Sequence, residues 1–418
     1  MALVEALLAH KLATLALPLA VVLPGGRRIG AADAAVTLRL RELGPLLAIA
    51  AGDVGRVGQD YVEGRLEFDG TVRDLVGIGW RLIGEDPTQP IALAPLAWWR
   101  SVVHAAGSRR RHAPAIDRRR VQFHYDVSDE FYALWLDPLR LYSCAYYRVP
   151  GMTLAQAQEA KLDHICRKLM LRPGERFLDI GAGWGALLLW AAEHYGVLAH
   201  GITLSRHQHA HVSRLIQARG LQGRVRIELV DYRVLPEDEP YDKIASVGMF
   251  EHVGAACLPA YFGKIRRLLR PGGLLMNHGI TAGGTRNREL GAGIGPFIER
   301  YIFPGGELVH LSAALHHLGE ARLETLDVEN LRPHYGRTLW AWSDALEARL
   351  AEARAHAPER VVRAFRIYLA GSAMSFQHGW LSLSQMLASH PSGELGLGPM
   401  RGAQSPYPFN REYMYSNR

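Results

Sequence analysis

The chain has 418 residues, 48% of them hydrophobic and 21% charged, with a formal net charge of +7. That composition excludes a disordered or collagen-like chain, and the length predicts two to three domains. Three cysteines (Cys144, Cys166, Cys257) without a CxxC pair exclude a disulfide framework, argue against structural zinc and fit a reducing cytosol.

The basic balance calls for an anionic partner: nucleic acid, a membrane surface or an anionic substrate. Only five of the 48 basic residues are Lys, a bias that reflects genome base composition as readily as phosphate binding. The longest early apolar run, Leu12 to Leu23, is broken by Pro18. It falls well short of the ~20 residues needed to span a bilayer and lacks the flanks of a signal peptide. A cytoplasmic protein is expected, soluble or peripheral to the membrane.

Residues 1–107 mix short apolar runs with Gly and Asp, as in GQDYVEGRLEFDGTVRDLV (58–76). Val62, Leu66, Phe68 and Val72 partly alternate with polar residues, as half-buried strands and turns do. With ten basic and eleven acidic residues, the segment reads as a small α+β domain without a catalytic constellation. Residues 108–120 carry six Arg and one Asp, so most of the net charge sits in this 13-residue arm. It reads either as a solvated linker or as a contact for lipid phosphates. Nucleic acid is disfavoured, because no recognition fold accompanies the arm.

From residue 121 strand-like and helix-like segments alternate, which predicts an α/β fold with a doubly wound, Rossmann-like parallel sheet. The strands are Arg176–Ile180, Val197–Leu204, Val225–Val230, Tyr241–Gly248 and Leu274–His278. Helices are expected over Ala186–Tyr195, stopping at Gly196, and from a Ser205 cap to about Arg219. A further helix tail, Lys264–Leu269, is closed by Arg270-Pro271-Gly272-Gly273.

Asp179 closes the first strand, and Gly181, Gly183 and Gly185 form a GxGxG turn before the next helix. This is not the GxGxxG dinucleotide fingerprint. An acid at the strand end followed by this turn is typical of S-adenosylmethionine (SAM) methyltransferases, where the turn packs on the amino-acid moiety of the cofactor. The second strand lacks the usual terminal acid for a ribose, which leaves Thr203, backbone or Gln208 to hold it. Asp231, ending the third strand, contacts the adenine amino group or caps the following turn.

Several motifs are more specific. They are His124-Tyr-Asp-Val-Ser128, Tyr142-Ser-Cys-Ala-Tyr-Tyr147, Gly201-Ile-Thr-Leu-Ser205 with Gln208, and Met249-Phe-Glu-His-Val-Gly254. His278-Gly-Ile280, Tyr301-Ile-Phe-Pro-Gly-Gly306 and His334-Tyr-Gly-Arg-Thr-Leu-Trp340 follow. In this order, over roughly residues 121–390, they resemble the cyclopropane fatty-acyl-phospholipid synthase family, which includes the mycolic acid cyclopropane synthases. The first 107 residues look like the small lipid-binding domain of its longer bacterial members.

The resemblance implies transfer of a methyl group from SAM to a cis double bond of a phospholipid acyl chain. A carbocation forms, a base removes a proton from the new methyl, and a cyclopropane closes. In this family the base is taken to be bound bicarbonate, whose ligands here would be Cys144, Glu251, His278, Ile280 and Tyr335. The SAM shell implied is Tyr142, Ser143, Gly181, Gly183, Thr203, Leu204 and Gln208. The partners implied are unsaturated phospholipid chains at an anionic membrane surface, with a second copy of the chain as a further candidate, and no nucleic acid and no metal.

Elementary chemistry agrees. An alkene is a weak nucleophile, so proximity to the sulfonium methyl and exclusion of water must carry the reaction. A carbocation needs π faces or a nearby anion, and aromatics crowd the site motifs. Bland readings stand beside each residue: Cys144 as a buried small hydrophobe, Glu251 as a helix cap, His278 as a satisfied core histidine, Tyr335 as packing. His207, His209 and His211 read as a polar helix surface rather than a metal cluster, since only His207 and His211 share a face.

Residues 283–310 are expected to cover the site and receive the acyl chain. Helices are expected at about 339–356 and 359–388, with Phe365, Tyr368, Leu369, Met374, Phe376 and Leu381 as candidate tunnel residues, each read first as ordinary core packing. The domains expected are thus 1–107, a linker 108–120, a catalytic domain 121–395 and a loosely attached tail 396–418. Two other functions remain on the sequence: a same-fold methyltransferase giving a methylene or methyl-branched chain, and a non-catalytic lipid-binding protein.

Overall fold

A computed structural model describes residues 2–83, 128–285, 290–391 and 410–415. The basic arm 108–120, and His124 to Val127 of the first motif, lie outside the described residues.

The N-terminal unit runs α1 (Ala2–Thr14), β1 (Leu19–Val22), β2 (Arg28–Gly30), β3 (Val36–Leu40), α2 (Gly44–Ala51), α3 (Val54–Val62), β4 (Leu66–Asp69) and α4 (Val72–Ile83). Its strands form a sheet in the order β2-β1-β3-β4, with β1 and β3 parallel. The α+β expectation holds here. The apolar run Leu12–Leu23 divides between the end of α1 and β1, with Pro18 at the break. Val62, Leu66, Phe68 and Val72 do not share one strand pattern: Val62 ends α3, Leu66 and Phe68 lie in β4, and Val72 opens α4.

The larger unit contains α5 (Asp129–Ala133), α6 (Leu154–Lys168), β5 (Arg176–Ile180), α7 (Ala186–Tyr195), β6 (Leu198–Thr203), α8 (Arg206–Ala218), β7 (Val225–Leu229) and β8 (Tyr241–Val247). It continues with α9 (Leu258–Leu268), β9 (Leu269–Ala282), α10 (Ile294–Tyr301), α11 (Leu311–Glu320), β10 (Glu324–Asn330), α12 (Arg332–Ala348), α13 (Leu350–His356), α14 (Glu359–Gln377), β11 (Leu381–Ser389) and α15 (Glu412–Tyr415). The sheet order is β10-β11-β9-β8-β5-β6-β7. β7, β6, β5, β8 and β9 run parallel, and β11 is inserted antiparallel between β9 and β10. The order reverses at β5, so ligands belong at the carboxyl ends around β5 and β8.

The five expected strands and the caps of α7 and α8 agree with the structure. Ser205 accepts from the Gln208 N–H to start α8. Two expectations need correction. The fifth strand runs on through Gly279 and Ile280 to Ala282, because β11 pairs with it along its whole outer half. The helix expected over 359–388 ends at Gln377, where Gly379 turns left-handed at φ 77°. Residues 381–389 instead form β11, hydrogen-bonded on both sides. The tail also differs from expectation where it is described. Met414 is buried, its carbonyl bonds to His164 Nδ1, and Arg411 pairs with Asp327.

The two units share their packing. Val62 and Val72 join a core with Phe131, Trp135, Phe365 and Leu369, while Ile367 of α14 reaches the core of the N-terminal unit. Arg366 of α14 makes a two-pronged contact with Glu347 and bonds the Tyr61 hydroxyl, and Arg363 bonds Glu67 and the Tyr61 carbonyl. Two-pronged guanidinium contacts fix geometry as well as adding energy.

One close approach decides the shape of the site. A 3₁₀ turn, Phe250–His252, lies against β9. A Cβ on Gly279 would fall 2.1 Å from the Phe250 ring and 3.2 Å from Glu251 Cδ. Only a residue without a side chain lets this turn seat there. Gly279→Ala is therefore expected to cost about 1–3 kcal/mol through overpacking and to displace Glu251. Denaturant unfolding and turnover would both register the loss, and unchanged values for both would refute this packing argument.

Candidate active site

At the carboxyl ends of β5, β6, β7 and β8 lies a cavity of about 200 Å³. Asp179, Gly181, Gly183, Thr203, Leu204, Gln208 and Asp231 line it, as do Tyr142 and Ser143 from the loop after α5. Nine of the ten cofactor residues expected from the sequence thus meet. The tenth, Gly185, does not line the cavity; it precedes α7 in the left-handed region, and a Cβ on it would lie 2.8 Å from Val212. Its role is to let the turn enter α7 against α8.

The cavity's polar contacts are specific. Thr203 Oγ1 donates to Gln208 Oε1 at 2.8 Å, so the two side chains expected to hold a ribose are bonded to each other. Asp231 accepts from the Arg233 N–H and from two of its guanidinium nitrogens, the closest at 2.6 Å. Its capping role is therefore real, and it also lines the cavity. Asp179 is buried, and burial pushes its carboxyl up to about 7, with Lys161 opposing. His211 packs edge-on to Trp184. The metal-like group among the described residues is His316, His317 and Glu320, on the far helix α11.

A second, apolar cavity of about 340 Å³ meets the first at Tyr142, Ser143, Gly248, His252 and Phe303. All five residues expected to hold an anion line it: Cys144, Glu251, His278, Ile280 and Tyr335. Glu251 Oε1 accepts from the Ile280 N–H at 2.7 Å, so this N–H serves the carboxylate. Glu251 Oε2 is buried without a hydrogen-bond partner among the described residues. Burial pushes its carboxyl up to about 7, opposed only by backbone N–H groups.

His278 faces β11, where Gln385 Nε2 lies 3.2 Å from His278 Nδ1. With the amide donating, Nδ1 is the acceptor and the ring proton sits on Nε2. Burial drives its conjugate acid down to about 3, so the ring is neutral. Nε2 also has no partner among the described residues. Both residues line this cavity, Glu251 with an unsatisfied acceptor and His278 with an unsatisfied donor, and each is costly unless a small polar species completes it. Cys144 is a neutral thiol, its acidity suppressed by burial, and contacts the Ala145 and Leu331 carbonyls. It is not an activated nucleophile. Tyr335 is buried against Phe376 and Trp342.

Sequence reasoning missed two residues. Gln385 was hidden because its segment read as helix. Lys161 is buried on α6 and donates to Ser143 Oγ at 2.8 Å, with burial pulling its pKa down to about 8. Its signal was available: four of the five lysines, Lys161, Lys168, Lys243 and Lys264, are buried in a chain that otherwise uses Arg.

The comparisons bear on this geometry. The family model described as mycolic acid cyclopropane synthetase matches residues 112–386. A probable fatty acid methyltransferase of Pseudomonas putida is 41% identical over 384 residues, covering 91% of both chains. A probable fatty acid methyltransferase of Mycobacterium tuberculosis is 33% identical over 90% of this chain and 92% of its own. Among solved structures, the mycolic acid cyclopropane synthase CmaA1 complexed with SAH and CTAB is 37% identical with a TM-score of 0.61. It aligns over 98% of its own chain and 65% of this one. With a SAM-type turn, a matching cavity and these relatives, the chain belongs to the mycolic acid cyclopropane synthetase family of SAM-dependent methyltransferases.

Proposed function

We propose that this enzyme transfers a methylene unit from SAM to the cis double bond of a phospholipid acyl chain and closes it to a cyclopropane. The observation that carries the reading is the meeting of the cofactor cavity with an apolar cavity lined by Glu251 and His278, each with an unsatisfied buried polar atom. The relatives' names, fatty acid methyltransferase and cyclopropane synthase, support the substrate class.

SAM, when bound, supplies an electrophilic methyl group; bicarbonate, when bound, supplies a base for the proton lost on ring closure. The residues present fit both. Asp179 and the glycine turn lie where the amino-acid end of SAM belongs, and Thr203 with Gln208 where the ribose belongs. Glu251 Oε2 can accept a hydroxyl hydrogen, and His278 Nε2–H can donate to an anionic oxygen. A carboxyl held near neutrality suits this pairing, since two full negative charges would repel unless a hydrogen is shared. Tyr142 and Phe303 stand at the junction, where their π faces can stabilise positive charge on the alkene carbons. The apolar walls exclude water that would otherwise trap that cation.

The test is incubation with SAM and vesicles containing cis-monounsaturated phospholipids, followed by mass spectrometry of the acyl chains. The expected product gains one CH₂ and loses its alkene. No gain would refute methyl transfer; a gain with the alkene kept, as a methylene or methyl-branched chain, would refute ring closure.

Glu251 acts in its ionised form, as an acceptor. Turnover is therefore expected to fall as pH drops through about 7, where its carboxyl gains a proton. Glu251→Gln should lower turnover by about 10²-fold or more, abolish that acid limb and leave SAM affinity within about twofold. An equal loss of turnover and SAM binding would contradict the assignment.

We assign an anionic membrane surface as the partner. Among the described residues no helix is long and apolar enough to cross a membrane, so contact would be peripheral. The six arginines of residues 108–120 supply the attraction. Replacing Arg109–Arg111 and Arg118–Arg120 by Gln should weaken binding to anionic vesicles, most clearly at low salt. Sedimentation with vesicles reads this directly, and unchanged binding would make the arm a solvated linker.

A further inference from the structure

The family match begins at residue 112, yet the apolar cavity does not stop there. It passes from Glu251 and His278 along α14 into the N-terminal unit. There its floor is Leu19, Leu38, Ile49 and Leu66, all buried in the core of that unit's sheet and helices. Its sides are the apolar faces of α3 and α4.

The seam between the units is closed at backbone distance. The Gly55 N–H bonds the Ala292 carbonyl at 2.9 Å. A Cβ on Gly55 would lie 1.9 Å from the Gly293 oxygen, and one on Gly58 would lie 3.3 Å from the Phe297 ring. α3 therefore packs against α10 at the closest approach a chain allows. On the outer side Glu63 accepts from Tyr301 and Arg360, adding to the Arg363 and Arg366 contacts. The cavity is thus a single compartment with walls from both units.

Its two ends differ in polarity. The catalytic unit contributes Glu251, His252, His278 and Glu307 at one end, and an exposed Glu299 on α10 at the seam. In the N-terminal unit the oxygen-bearing side chain among the described lining residues is Tyr61, whose hydroxyl is taken by Arg366. A polar head group seated there would lose its hydration without compensation. An acyl methyl end would not.

We propose that the N-terminal unit is the methyl-end compartment of the acyl site, an apolar stop that sets which double bond reaches Glu251 and His278. This rests on the acyl-chain reading above. A stop of this kind measures the chain from its methyl end. Each methylene missing beyond the double bond leaves the floor unfilled, and each extra one is forced against it.

The test uses the full chain, SAM and two series of monounsaturated phospholipid vesicles. One series varies the carbons beyond the double bond and holds those before it constant; the other does the reverse. The expected kcat/KM changes by roughly fourfold per methylene in the first series and by less than twofold across the second. The opposite dependence would overturn the proposal. Gly79→Leu provides a second arm. Gly79 lines the cavity from α4, and a Cβ there meets its nearest neighbour, Val54 Cγ1, at an ordinary 3.6 Å. Leu also favours the helix over Gly. The variant should shift preference by at least tenfold toward chains with shorter methyl-side segments, and an unshifted preference would count against the compartment. If no chain gains carbon from SAM in the wild-type protein, the methyl-transfer reading fails first. If chains are modified with selectivity set only by the ester side, the compartment alone fails.

Discussion

A carboxylate buried without a cation is the constraint on which the rest of this structure depends. Glu251 is held by one N–H and left with an unsatisfied oxygen in an apolar wall. Such a group destabilises the fold as it ionises, since its pKa in the folded state lies above the ordinary carboxylate value. Between the ordinary value and about 7 the folded state holds more protons than the unfolded one, so this contribution to stability falls as pH rises. A fold accepts that cost at a site where the charge has work to do. The supports are local. Gly279 admits the 3₁₀ turn, β9 extends far enough to present Ile280, and β11 brings Gln385 to fix the His278 tautomer.

The sheet explains why these supports come together. Its order reverses at β5, which opens a crevice between the loops after β5 and β8. The glycine turn fills one side and the 250–252 turn the other. Tyr142 and Ser143 cross between them and belong to both cavities. Lys161, beneath Ser143, is the buried cation nearest this crossing by hydrogen bonding. The two cavities share a wall, so on the proposed reading the alkene and the methyl donor would be brought together by the topology itself.

Much of this was legible in the sequence because it depends on short-range chemistry. Glycines at alternate positions after Asp179 announce a turn, and Ser205 announces a helix start. The cofactor and anion-site residues were named from motifs, and all of them but Gly185 line one of the two cavities. What was not legible depends on partners far along the chain. Leu381–Ser389 carries a weak alternation that a helix reading absorbs, and it becomes a strand because β9 and β10 offer hydrogen bonds on both sides. Gln385 could not be assigned a role until that strand existed. The burial of Met414 likewise depends on α6, some 250 residues earlier.

The same distinction separates the two units. The N-terminal residues show no catalytic pattern because their contribution is shape. Leu19, Leu38 and Leu66 would be ordinary core residues in an isolated α+β domain. They acquire another role only because α3 meets α10 at glycine-to-backbone distance and α14 is pinned by Arg363 and Arg366. A chain that adds a second wall gains a fixed end to the cavity. Fixing the end of an apolar slot is how a protein made mostly of nonspecific contacts distinguishes one alkene position from the next, since the contacts themselves vary little from one methylene to another.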